Sequence, residues 1–253
     1  MKFLAAIQAR CGSSRLPGKI LMDLAGKPVL QRVIERVEKS KYVDETMVVT
    51  SISKKDIPTV HLVSQVGNRV FVGSEDDVLD RYYQAARLIN PEYVIRITAD
   101  CPVFDAGILD AAIEQLAPES DYLSDTGETL ADGLDLEIVR FSVLQKAWKE
   151  AKLASEREHV TLYIKNHPEE FKLQQFESPL GNLNAYRWTL DEQEDYELLA
   201  KIYEHFGDAD FGAKEILAFL KDNPQYLAIN AKYARNEGLA KSLANDYIIN
   251  GDE

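Results

Sequence analysis

The chain has 253 residues, 45% of them hydrophobic, and a formal net charge of −13. That length and apolar content suit one large α/β domain, and the acidic balance argues against non-specific binding to nucleic acid or an anionic membrane. No apolar run approaches the ~18 residues of a membrane span, and the N-terminus lacks a signal peptide's apolar region, so a cytoplasmic location is expected. The two cysteines, Cys11 and Cys101, make no disulfide framework and are expected to be free thiols in a reducing compartment.

Residues 3–9 read as a buried strand. Residues 29–40 read as an amphipathic helix with Val29, Val33, Ile34 and Val37 on one face. Residues 46–51 and a short segment within 67–71 are further strands. A helix over 76–89 carries Val78, Leu79, Tyr82, Tyr83 and Ala86 at helical spacing, and a strand over 93–98 follows. Residues 107–116 are helical again. This alternation predicts a mainly parallel sheet with helices on both faces, whose ligands bind at the carboxyl ends of the strands. From residue 121 the rhythm changes. A polar loop is expected over 124–135, then strands at 136–140, 171–176 and 184–189. Helices are expected at 142–154, 158–166, 194–206 and 213–222, and helix plus polar tail over 226–253. No flexible linker is evident, so an insertion within one domain over 1–253 is expected.

The loop after the first strand reads Gln8-Ala-Arg-Cys-Gly-Ser-Ser-Arg-Leu-Pro-Gly-Lys19. Glycines let backbone N–H groups approach a ligand closely, serines add hydroxyl donors, and Arg10, Arg15 and Lys19 can neutralise a polyphosphate. It is neither a Walker A loop nor a dinucleotide fingerprint. Asp100 ends the strand over 93–98, where Pro102 disfavours helix at the preceding residue. Asp191 ends the 184–189 segment and, with Glu194 three residues later, also fits a helix capping box. Together Asp100 and Asp191 suggest two carboxylates converging on one Mg²⁺, a hard ion suited to oxygen ligands and bound phosphates. Ser74 and the acidic residues after it fit ordinary helix capping. Asp132, Asp135 and Glu137 cluster before a strand, and Arg157 with His159 could meet a carboxylate. No hydrolase elbow and no zinc spacing occurs.

Taken together, the loop over 8–19, Gly73-Ser-Glu-Asp-Asp-Val-Leu-Asp-Arg-Tyr82, Arg96-Ile-Thr-Ala-Asp-Cys-Pro102, Asp132-Gly-Leu-Asp-Leu-Glu137, Arg157-Glu-His-Val-Thr161 and Arg187-Trp-Thr-Leu-Asp191 resemble the sugar-activating nucleotidyltransferases. The resemblance is to the cytidylyltransferase group of the spore-coat polysaccharide type, with CMP-sugar synthetases more distant. It runs in order over residues 3–200. It implies a Rossmann-like three-layer α/β/α fold and a homodimer, with an acceptor-binding or dimerisation insertion around 124–186. It implies that CTP, or another nucleoside triphosphate, is bound by Gln8, Ala9, Arg10, Gly12, Ser14, Arg15, Lys19, Gly73, Ser74, Asp77, Thr98 and Asp100. Arg10, Arg15, Lys19, Asp100 and Asp191 are the implied catalytic residues, and Asp100 and Asp191 the Mg²⁺ ligands. Asp135, Glu137, Arg157, His159 and Arg187 match the side that binds a sugar-type acceptor. Val72 departs from the pattern, since many relatives carry a basic residue there, and residues 52–58 are unusual after the second strand.

The expected chemistry is attack of an acceptor oxygen on the α-phosphorus, with pyrophosphate leaving. Two other readings stay open on the residues: a glycosyltransferase consuming a nucleotide-sugar, and a non-catalytic nucleotide-binding subunit.

Overall fold

The computed structural model describes residues 1–253 except 126, 236 and 250–253. Strand β1 (Phe3–Gln8) leads into the polar loop and a short 3-10 turn at Lys19–Leu21. A two-residue hairpin, β2 (Asp23–Leu24) and β3 (Lys27–Pro28), precedes α1 (Val29–Val37). Then come β4 (Glu45–Ser51), α2 (Ile57–Gln65), β5 (Arg69–Gly73), α3 (Val78–Ile89), β6 (Tyr93–Thr98) and α4 (Ala106–Gln115). The second half holds β7 (Tyr122–Ser124), β8 (Glu137–Arg140), α5 (Phe141–Glu150), α6 (Ala154–Glu158), α7 (Leu162–Asn166) and β9 (Leu173–Gln175). It closes with α8 (Gln193–Phe206), α9 (Ala213–Asp222) and α10 (Glu237–Ala244).

Seven strands form one mainly parallel sheet in the order β5-β4-β1-β6-β8-β7-β9. The four strands from β5 to β6 are parallel, β8 runs antiparallel to β6 and β7, and β9 pairs parallel to β7. The period-2 alternation of β1 explains the layering. Phe3, Ala5 and Ile7 face a core shared with α1, α4, α8 and α9, whereas Leu4 and Ala6 face a core shared with α3 and α5. Both faces are covered, so the strand is apolar throughout, as expected for a central parallel strand. From β1 the chain moves outward through β4 to β5, then crosses back to β6 on the other side of β1. The carboxyl ends of β1 and β6 therefore flank the point where strand order reverses, the usual crevice of such sheets.

Several expectations are corrected. The helix expected over 158–166 is two short helices, because Val160 takes a left-handed backbone (φ 53°) between them. The strand expected over 184–189 is a single bridge from Arg187 to Asp132. Gly133 makes that close approach possible: its φ is 104°, and a Cβ there would lie 2.5 Å from the Thr189 nitrogen. Helix α2 went unforeseen, although Pro58 in its first turn is a start signal. Of the residues over 226–253, α10 is helical, and 236 and 250–253 lie outside the described residues. No described helix is long and apolar enough to cross a membrane.

Candidate active site

The loop after β1 closes on itself. The Ala9 amide donates to the Val49 carbonyl at 3.0 Å and the Gly18 amide to the Cys11 carbonyl at 3.1 Å. The Ser13 hydroxyl accepts from the Leu16 amide at 3.2 Å, and Gly18 turns the chain with φ 71°. Asp56 steadies the near side, accepting from the Cys11 amide at 2.6 Å and from the Ser51 hydroxyl. Gly12, Ser14 and Arg15 stay at the surface, whereas Lys19 is buried.

Lys19 is the centre of the site. Its ammonium donates to Asp100 Oδ2 at 2.6 Å and to Asp191 Oδ1 at 2.7 Å. Arg15 reaches the other oxygen of Asp191 at 2.9 Å and Glu192 at 3.4 Å. Asp100 is brought there by β6, and the 187–191 strap is tied beside it by the Leu190 amide, which donates to the Asp100 carbonyl at 2.8 Å. Burial alone would raise the Asp100 carboxyl, but the Lys19 charge and hydrogen bond outweigh it and hold it below the usual carboxylate range. Burial likewise opposes the Lys19 charge, yet Asp100 and Asp191 hold its pKa above normal. The capping box expected of Asp191 and Glu194 instead joins Glu192 to Asp195, so the Asp191 carboxylate is left for Lys19.

Arg187 sits behind this cluster. It forms a bidentate pair with the fully buried Asp195, at 2.9 and 2.8 Å, and reaches Asp132 at 2.7 Å. Asp195 also accepts the Asp191 and Glu192 amides, each at 3.0 Å, and the Asn230 side chain at 2.9 Å. Asp135 pairs with Arg235 at 2.6 Å.

A second polar cluster lies where β6, β8 and β7 run side by side, with Arg96 opposite Glu137 and Glu137 opposite Ser124. Glu137 takes Arg96 at 2.7 Å, Lys165 at 2.6 Å, the Thr161 hydroxyl at 2.7 Å and the Tyr122 hydroxyl. Burial would raise its pKa, but Lys165 and Arg96 drive it far below normal. Gln8 touches the same Arg96 at 3.5 Å. Arg96 Nε, Ser124 Oγ and His159 Nε2 are buried without a hydrogen-bond partner. Burial lowers the His159 pKa against the pull of Glu158, 3.8 Å away, and the Arg96 and Lys165 charges add to the lowering. Arg157 instead grips Asp77, at 2.9 Å from Nε, and the Trp148 carbonyl at 2.5 Å. Asp77 also caps α3, and Ser74 accepts the Asp77 amide at 3.1 Å beside Gly73. Arg10 is half exposed and 4.0 Å from Glu158. The Thr98 hydroxyl lies 3.2 Å from the Cys101 sulfur.

Structure thus unites Arg15, Lys19, Asp100 and Asp191, and separately Gln8 and Glu137 through Arg96, whereas the His159 side chain lies 3.8 Å from Glu158. It engages Arg157 and Arg187 with protein carboxylates. Sequence reasoning missed Arg96, Lys165, Asp56 and Asp195. Arg96 carried a signal: a charge inside the otherwise apolar run of β6 needs a partner or a ligand.

Comparison with known proteins identifies the family. Residues 4–223 match the cytidylyltransferase family. The spore coat polysaccharide biosynthesis protein SpsF of Bacillus subtilis is 36% identical over 236 residues, covering 87% of this chain and 95% of that protein. A cytidylyltransferase structure from Leptospira borgpetersenii superposes with a TM-score of 0.86 at 32% identity, covering 92% of this chain and all of that one. A CMP:2-keto-3-deoxy-manno-octonic acid synthetase solved with CTP shares the fold, with a TM-score of 0.63 at 18% identity over 81% of this chain and 99% of that one. The chain belongs to the cytidylyltransferase family.

Proposed function

We propose that the chain transfers a cytidylyl group from CTP to a sugar-type acceptor, foremost an acidic sugar, with Mg²⁺ bound and pyrophosphate released. The observation that carries this reading is the convergence of Asp100 and Asp191 on one cation, 2.6 and 2.7 Å away, with Arg15 beside them. Oxygens that converge on an ammonium present the hard donor set a divalent ion requires, so these two residues fit Mg²⁺. The ion would polarise the α-phosphate and acidify the acceptor hydroxyl. The spore-coat relative and the CTP-bound synthetase support the same nucleotide and acceptor class.

The chain's own residues position and neutralise. An acceptor oxygen attacks the α-phosphorus, a new O–P bond forms, and the bond to the β-phosphate oxygen breaks. Lys19 and Arg15 neutralise the charge developing on pyrophosphate, and the backbone of the loop holds the phosphates. Arg96, Ser124 and His159, with their unpartnered polar atoms, take the acceptor. Arg96 and Lys165 supply positive charge for a sugar carboxylate, and a neutral His159 is available to a hydroxyl. Glu137 stays ionised and aligns both cations. The insertion over 124–186, together with Arg96 of β6, carries this acceptor side within one domain and is also the proposed dimer arm. Two free thiols support a reducing, cytoplasmic setting.

The test is pyrophosphate release with Mg²⁺, crossing four nucleoside triphosphates with sugar acids and sugar phosphates. Release with CTP and one acceptor class is expected. CTP binding without pyrophosphate from any pair overturns the reading.

A further inference from the structure

The family match ends at residue 223, yet the chain beyond it returns to the site. A 3-10 turn at Pro224–Ala228 leads to Asn230, which is buried beside the fully buried Asp195. The side-chain amide of Asn230 reaches both ends of one segment. Its Nδ2 donates to the Arg187 carbonyl and to Asp195 Oδ1, each at 2.9 Å. The residues that follow extend the contact. Lys232 and Tyr233 donate to the two oxygens of Glu194 at 2.6 and 2.7 Å, and the Arg187 guanidinium lies over the Tyr233 ring at 5.6 Å. Arg235 donates to the Leu130 carbonyl at 2.7 Å and to Asp135 at 2.6 Å.

The bonds on Asp195 show what Asn230 serves. Oδ2 accepts Arg187 Nη2 at 2.8 Å and the Asp191 and Glu192 amides, each at 3.0 Å. Oδ1 accepts Arg187 Nε and Asn230, each at 2.9 Å. Partners on both oxygens fix the plane of the carboxylate, and the carboxylate in turn fixes the backbone at Asp191. Without the Asn230 amide, Oδ1 keeps the Arg187 contact alone among the described residues. The carboxylate can then rock, and the Asp191 amide moves with it.

The tie counts most when the site is loaded. The Asp191 carboxylate is held by Lys19 at 2.7 Å and by Arg15 at 2.9 Å. The proposed function gives both cations to the phosphates, so Asp191 then depends on its backbone for its place. On one side the Leu190 amide is tied to the Asp100 carbonyl, and on the other the Asp191 amide is tied to Asp195. Mg²⁺ demands near-ideal octahedral geometry and tolerates little error in where its oxygens sit. We propose that Asn230 is a positioning residue for Asp191: it acts through Asp195, so that a segment beyond the family match sets how tightly the metal is held. The inference rests on the CTP and metal reading of this site, but not on any acceptor.

The experiment is calorimetric binding of CTP, with Mn²⁺ as the metal probe or in EDTA, to the wild-type chain and to Asn230→Leu, with thermal melts of both. Wild type is expected to bind CTP more tightly with Mn²⁺ than in EDTA. Asn230→Leu, which keeps much of the volume but not the donor, is expected to lose about three- to tenfold of that enhancement, at or below the usual effect of removing a group that orients a metal ligand. Its affinity in EDTA is expected to stay at the wild-type value. Lys232→Ala removes a contact of the same segment that does not touch Asp195, and is expected to keep the full enhancement. Where the Leu variant shows no cooperative melt, Asn230→Ser, too short to bridge the two acceptors, is expected to show the same loss. An unchanged enhancement in a folded Asn230 variant overturns the inference. So does an equal fall in EDTA, the mark of a merely structural role, or an equal loss in Lys232→Ala. Wild type that gains nothing from Mn²⁺ overturns the metal reading and this inference with it, and the wild-type arm alone reveals that. Turnover is not read, so failure to find an acceptor would count against the proposed function alone.

Discussion

Two clusters of the same charges lie back to back in this site and behave differently. In one, the planar fork of Arg187 meets both oxygens of Asp195, whose remaining lone pairs take two backbone amides and Asn230. In the other, the point charge of Lys19 is divided between Asp100 and Asp191, both about a fifth exposed. The first is saturated and fixed. The second is one ammonium shared by two carboxylates that are each only partly used, the arrangement that the proposed metal and phosphate roles require. The difference lies in how completely each carboxylate is used, and it separates the buttress from the chemistry.

The sharpest way to break this contrast is to remove Asp195. Asp195→Ala takes the bidentate partner from the Arg187 guanidinium, which keeps Asp132, and leaves two amides unpaired, and is expected to cost about 3 kcal/mol of stability. Urea denaturation checks it. A loss below 1 kcal/mol would mean that the buttress is dispensable.

Next in size is Asp191→Asn. Lys19 keeps Asp100, so the fold is expected to hold while turnover falls by about 10²–10³-fold, on the scale of losing one electrostatic group in a transition state. Steady-state kinetics at saturating Mg²⁺, beside a denaturation curve, measures both. Unchanged turnover would remove Asp191 from the chemistry.

Much of this arrangement is legible in the chain. The apolar runs of β1, β4 and β6 and the helical spacing of α3 declare a parallel α/β sheet, because each element is buried on the faces its pattern predicts. The loop over 8–19 and the strand-ending Asp100 are local features, and they lie where the pattern puts them. What escaped is non-local. The place of β8 and β7 beyond β6 depends on pairings such as Arg96 with Glu137, which span 41 residues. The break at Val160 follows from packing rather than periodicity. The pairings of Arg187 with Asp195 and of Arg157 with Asp77 likewise give no sign in the sequence.

The smallest effect concerns Asp132, which pairs with Arg187. Burial and then the neighbouring Asp135 charge push its carboxyl up to about 6, against the pull of Arg187, whose charge is shared with Asp195. A carboxyl with a raised native pKa keeps its proton in the fold while the unfolded chain has lost it. Between its unfolded pKa, about 4, and the native value near 6, the native state therefore binds more protons, and stability falls as pH rises. Above pH 6 the loss is complete, on the order of 3 kcal/mol at about 1.4 kcal/mol per pKa unit. Asp100 has the opposite sign: held low by the Lys19 charge, it adds stability that persists at neutral pH and is lost as pH falls below the ordinary carboxylate range. Asp132→Asn is expected to flatten the decline between pH 4 and 6 in urea titrations while leaving the acid-side loss in place. An unaltered decline would show that Arg187, and not burial, governs Asp132, and would place that carboxylate wholly within the buttress.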